Sequence, residues 1–93
     1  MTFEATKDPD SVEDFAIDWT ATLNESTPAD TIATSVWTAD AGVTVDSNSE
    51  AGGVTRVWVS GGVRGAPCNL VNRITTAAGR TYDRTIAVTL EDL

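Results

Sequence analysis

Histidine is absent from this 93-residue chain, and cysteine occurs once, at Cys68. Without histidine there is no Ser-His-Asp or Cys-His nucleophilic scheme, and the commonest ligand of transition-metal sites is gone. A lone cysteine forms no internal disulfide. A secreted domain this small would ordinarily need such staples, so synthesis in a reducing cytoplasm is expected. Bases are scarce, six against fourteen acids, for a net charge of −8. So few Lys and Arg argue against binding nucleic acid or an anionic membrane, both of which need cationic surfaces. No apolar run approaches ~18 residues, so no transmembrane helix is expected. Residues 1–7 lack a basic region followed by an apolar one, so no signal peptide is read there.

What remains is rich in Thr, Val and Ile, a composition that favours strands. No stretch repeats apolar residues at helical spacing, so no long helix is expected. Over residues 15–23, Phe15, Ile17, Trp19, Ala21 and Leu23 alternate with Ala16, Asp18, Thr20 and Thr22, which predicts one half-buried strand. A turn over 7–11 leads into it, and a polar loop over 24–30 follows. A second strand is expected over 31–38 with ambiguous parity. Ile32 and Val36 share one face and Trp37 takes the other, which a bulge would reconcile. A short third strand falls at 43–46, with residues 47–53 expected as a flexible loop. Strands over 54–60, 68–76 and 81–90 follow, the last two joined by a tight turn at Ala77-Ala78-Gly79-Arg80. In the first of these, Val57 and Val59 oppose Arg56 and Trp58; in the second, Cys68, Leu70, Asn72 and Ile74 share a face. Counting 3–6 as an edge strand gives about seven short strands with frequent turns. The expected fold is all-β, an immunoglobulin-like antiparallel sandwich, with an open barrel as the alternative. Residues 1–14 are read as an extended lead-in and 15–93 as the domain.

Charge is placed unevenly. Residues 1–50 hold eleven acids and one base, Lys7, while residues 51–93 hold three acids and five arginines. Such asymmetry can build complementary surfaces for assembly, or simply interleave within one fold. Few groups are arranged for chemistry. Asp8, Asp10, Glu13 and Asp14 form an acidic cluster whose spacing does not match a calcium loop and reads more simply as a solvated lead-in. The stretch Gly61-Gly62-Val63-Arg64-Gly65 lacks the Gly-Lys-Ser/Thr of a phosphate loop and reads as a turn. Cys68 shares parity with core residues and has no base beside it, so it reads as a small hydrophobe. No catalytic residue, metal site or cofactor is expected. The informative side chain is Trp58, on the face opposite Val57 and Val59 and beside Arg56. An exposed Trp next to an Arg has the make-up of an interface anchor, and a Trp covered by a loop or by the N-terminal segment is the equal alternative. Arg64 and Arg80 complete the expected interface set.

The wording of the chain also resembles a known family. Lys7-Asp8-Pro9-Asp10 leading into Phe15-Ala16-Ile17-Asp18-Trp19, then Asp30-Thr31-Ile32-Ala33-Thr34-Ser35-Val36-Trp37-Thr38, is similar to small tailed-phage Ig-like virion proteins of the fiber-tail adaptor type. Ser60-Gly61-Gly62 and residues 72–81 continue the likeness, which covers nearly the whole chain. The departures are Cys68, where an aromatic would be more usual, and a loop lengthened at 25–29. The resemblance implies a non-catalytic virion protein, made in the host cytoplasm and present in several copies by particle symmetry. It would join a fiber, collar or neighbouring subunit to the tail or neck through its edge strands, Trp58 and its arginines. A capsid decoration protein and a carbohydrate-binding adsorption module are the alternatives.

Overall fold

Alternation decides which side of each strand is buried, and the sides facing inward here are mainly apolar, with Lys7, Thr55, Asn72 and Thr76 buried among them. The computed structural model describes residues 2–25, 28–40 and 42–91. Its elements are β1 (Thr2–Lys7), β2 (Val12–Asp18), α1 (Thr20–Leu23), β3 (Ile32–Ala39), β4 (Val43–Ala51), β5 (Val54–Gly61), β6 (Pro67–Thr76) and β7 (Thr81–Leu90). A four-stranded sheet runs β1-β7-β6-β3 and a three-stranded sheet runs β2-β5-β4. Neighbours pair antiparallel except β1, which lies parallel to β7 from Thr2↔Thr85 to Lys7↔Leu90. Strands β2, β5 and β4 against β3, β6 and β7 reproduce the division of an immunoglobulin sandwich, with the first strand joined to the β7 edge.

Between the sheets, Ile17, Val57 and Val59 from one side meet Leu70, Ile74, Ile86, Val88 and Leu90 from the other. One polar cluster is buried among them. The Trp19 indole Nε1 donates to Thr55 Oγ1 (3.2 Å) and Asn72 Oδ1 (2.9 Å), and the Thr55 hydroxyl donates to the same Asn72 oxygen (2.6 Å). Asn72 Nδ2 in turn donates to Ser35 Oγ and the Val36 carbonyl, so the amide is fully used. Arg84 lies over the Trp19 ring, 4.3 Å from its centre. Trp37 is buried too, and its indole N–H finds no acceptor among the described residues.

Three expectations need correction. Residues 15–23 are not one strand: β2 starts earlier, at Val12, and ends at Asp18, and Thr20–Leu23 forms a helical turn. Asp18 Oδ1 accepts both the N–H and the hydroxyl of Thr20, and Leu23 N–H bonds back to the Trp19 carbonyl. Trp19 and Leu23 are buried as expected, because residues four apart share a face in a helix as they do in a strand. Residues 47–53 are not a flexible loop. They complete β4 and turn at Gly52-Gly53, whose φ values of +60° and +87° make the two-residue turn that matches strand twist. The third correction is length alone: the expected strand over 43–46 runs to Ala51. A bulge is present, between Ile32 and Thr34, but it does not bring both sets inward: Trp37 is buried and Ile32 half-buried, while Val36 stays outside. Of the lengthened loop at 25–29, Ser26 and Thr27 lie outside the described residues.

Candidate interaction surface

A sheet face is defined by the residues that point away from the core, so register names its members. On β5 the outward residues are Val54, Arg56, Trp58 and Ser60, since Thr55, Val57 and Val59 are buried. Trp58 lies opposite Asp14 on β2 and Ser47 on β4. Val12 and Ala16 sit one diagonal step away on the same face, within reach of a large aromatic ring. Trp58 is 43% exposed and Val12 62% exposed, so an aromatic side chain of the central strand and an aliphatic one at the start of the β2 edge both stand open on this face. The Arg56 guanidinium pairs with Asp14 and frames this patch with charge.

Arg64 and Arg80 lie elsewhere. Arg64, in the loop after β5, approaches Asp10 of the loop after β1 at 3.7 Å. This end of the sandwich is tied by Lys7, whose Nζ donates to the carbonyls of Asp8 (2.8 Å), Ser11 (2.6 Å) and Gly61 (2.8 Å). Gly62 N–H donates to the Gly42 carbonyl, and a Cβ on Gly62 would strike the Leu90 side chain at 2.5 Å. The glycine stretch after β5 therefore spends its backbone on internal packing. Arg80 sits at the opposite end, in the β6–β7 turn, donating from Nη1 to Asp30 Oδ2 at 3.0 Å. Asp30 also accepts the N–H groups of Thr31 and Ala78, fastening the loop before β3 to that turn. The four candidate residues thus divide among one sheet face and two ends. Val12 joins the face from a segment read as lead-in; its even spacing from Asp14, Ala16 and Asp18 was the available sign.

Electrostatics follows these contacts. The Thr76 hydroxyl, with the Thr31 and Ala78 N–H groups and Arg80, holds the Asp30 carboxyl below the usual carboxylate range. The Thr20 hydroxyl does the same for Asp18, and Arg73 for Asp83, while Asp83 raises Arg73. Burial pushes the Cys68 thiol up, keeping it a neutral core group. The acidic lead-in disperses: Asp8 Oδ1 accepts Asp10 N–H, Asp10 approaches Arg64, and Asp14 pairs with Arg56. Among the described residues, no group of three or more Cys, Asp or Glu side chains is placed to hold a metal ion.

Two hollows flank β3. A cleft of about 320 Å³ opens between its start and the end of β4, lined by Leu23, Ile32, Glu50 and Gly53 among others. A slightly smaller one of about 280 Å³ lies on the outer face of the four-stranded sheet among Val36, Thr38, Val71 and Arg73.

Fold and surface define an immunoglobulin-like module that offers sheet faces and strand edges, its arginines largely engaged within the chain. Residues 7–89 match the family described as Podophage GP4 fiber-tail adaptor protein gp77, and the chain belongs to that family of phage structural adaptors. No curated protein matches the chain.

Proposed function

We propose that this chain is a virion component that joins a fiber or neighbouring subunit to the phage tail, with the outer face of β2-β5-β4 as its principal docking surface. The reading is supported by membership in the adaptor family together with one geometric feature, the open Trp58–Val12 patch framed by Arg56 and Asp14. Binding is by rigid docking of a preformed face. A half-exposed Trp beside aliphatic and charged neighbours is the kind of group that carries most of an interface's energy. Ring symmetry would repeat the contact and add avidity.

Trp58→Ala tests it in particles assembled with the variant as sole copy. An anchor of this type is worth about 2 kcal/mol or more, so occupancy should need roughly 30-fold more protein. The thermal midpoint of the isolated variant should stay near that of the parent, because the side chain lies outside the core. Undiminished incorporation would remove this face from the joint.

A further inference from the structure

An edge strand shows a row of unpaired N–H and C=O groups, and proteins normally blunt such edges with charge, proline or a bulge. Three of the four edges here follow that rule. β1 carries Glu4, β2 carries Glu13, Asp14 and Asp18, and β4 carries Glu50 and bulges at Asp46. β3 is the exception: Ile32–Ala39 contains no charge, proline or glycine over eight residues, and its irregularity is confined to its first turn of pairing.

β3 is bonded to β6 on one side only, and its other edge belongs to no ladder among the described residues. Asp40 N–H donates to the Asn69 carbonyl. With the register Val36↔Arg73 and Thr38↔Val71, antiparallel alternation directs the N–H and C=O of Ser35, Trp37 and Ala39 away from β6, toward the open edge. A strand laid there would send alternate side chains to the two faces of the sheet. One set would enter the cleft beside Ile32 and Leu23, and the other would lie along the hollow at Val36, Thr38 and Val71. The same strand bears Trp37, whose buried indole N–H lacks an acceptor among the described residues.

Resting on the adaptor reading, we infer that β3 is an acceptor for an extended segment of another virion protein, which adds a fifth strand to β1-β7-β6-β3. Its occupant is alternately apolar along the strand and carries Lys or Arg at its ends, where it passes Glu50 or Asp40. Glu50 lines the cleft and Asp40 is exposed beside the end of β3. A second copy of this chain fits less well, since it brings another net charge of −8 to an edge flanked by the carboxylates of Glu50 and Asp40. Backbone pairing supplies affinity and the two hollows supply side-chain selection.

Amide hydrogen exchange, compared between free chain and purified virions, tests the site. Ser35, Trp37 and Ala39 should exchange at least about tenfold more slowly in virions, while amides facing outward from β1 and β4 should not. Val36→Lys/Thr38→Lys, both at outward positions, should cut incorporation by at least about tenfold and Thr89→Lys on β7 should not. Unchanged exchange at the three amides, or normal incorporation of the double variant, would overturn the strand site while leaving the adaptor reading intact. Protection already present in a dimeric free chain would overturn it in favour of self-pairing. Absence of the chain from virions would overturn both readings.

Discussion

Lys7, the chain's single lysine, is fully buried and satisfies its Nζ with three main-chain carbonyls. No carboxylate is involved in those three bonds, so no residue pairing in the sequence announces them. Carbonyls leave no trace in residue type, and Lys7 reads there as part of a turn. Its position explains its value: β1 belongs to one sheet and β2 to the other, and Nζ binds the loop between them to the end of β5. Lys7→Ala removes charged donors from three partly buried carbonyls, and should cost about 2–4 kcal/mol in urea unfolding. Lys7→Met keeps the aliphatic stem and should lose less. A loss below about 0.5 kcal/mol for alanine would mean that water replaces the ammonium freely. Asn72 is the contrasting case. Its parity with Leu70 and Ile74 was legible and placed it inside, yet its partners Trp19, Thr55 and Ser35 come from three other segments that periodicity cannot join.

At the scale of elements, β5, β6 and β7 were readable because each alternates cleanly between a buried and an open face. β4 was not. Ser47, Asn48, Ser49 and Glu50 have little strand preference, and the second half of β4 is exposed on both sides. It is a strand because β5 offers a ladder and the Gly52-Gly53 turn sets the register, a case of pairing overriding local preference. The two glycines of that turn are not equivalent. Gly52 has open space around it, whereas a Cβ on Gly53 would meet Thr20 Cγ2 at 3.0 Å and Leu23 Cδ1 at 3.2 Å. Gly52→Asn, a residue that accepts positive φ, should therefore shift stability by less than about 0.5 kcal/mol. Gly53→Ala adds crowding to backbone strain and should cost about 1–3 kcal/mol, read from urea midpoints. Equal effects at both sites would mean that the packing of α1 against the turn is loose. The helical turn is not legible in the sequence, because four-residue spacing serves both periods.

Across the whole molecule the lopsided charge of the chain is partly folded away. Asp14, Asp10 and Asp30 from the acidic half pair with Arg56, Arg64 and Arg80 from the other, so the two halves interleave. The first two are surface pairs, each worth little alone, while in the third the Asp30 side chain is nearly buried. The pH dependence of the fold rests on three carboxylates. Asp18, Asp30 and Asp83 are all held below their ordinary value of about 3.8, so the folded chain binds fewer protons than the unfolded one in acid. Stability from these groups is therefore complete above the ordinary value and is lost as pH falls through the lowered ones. The melting temperature should stay level from neutrality to roughly pH 5 and fall below pH 4. A rise in that acid range would mean that relief of the net negative charge outweighs the lost contacts. The parallel pairing of β1 with β7 bears on a different quantity, resistance to tension. Thr2 and Leu90 lie at opposite ends of a six-residue ladder whose strands run side by side in the same direction. A pull that separates those two points loads the ladder's hydrogen bonds in shear, all together, instead of peeling them one at a time. In a joint between a fiber and a tail, the same β1–β7 seam would act as a mechanical clamp.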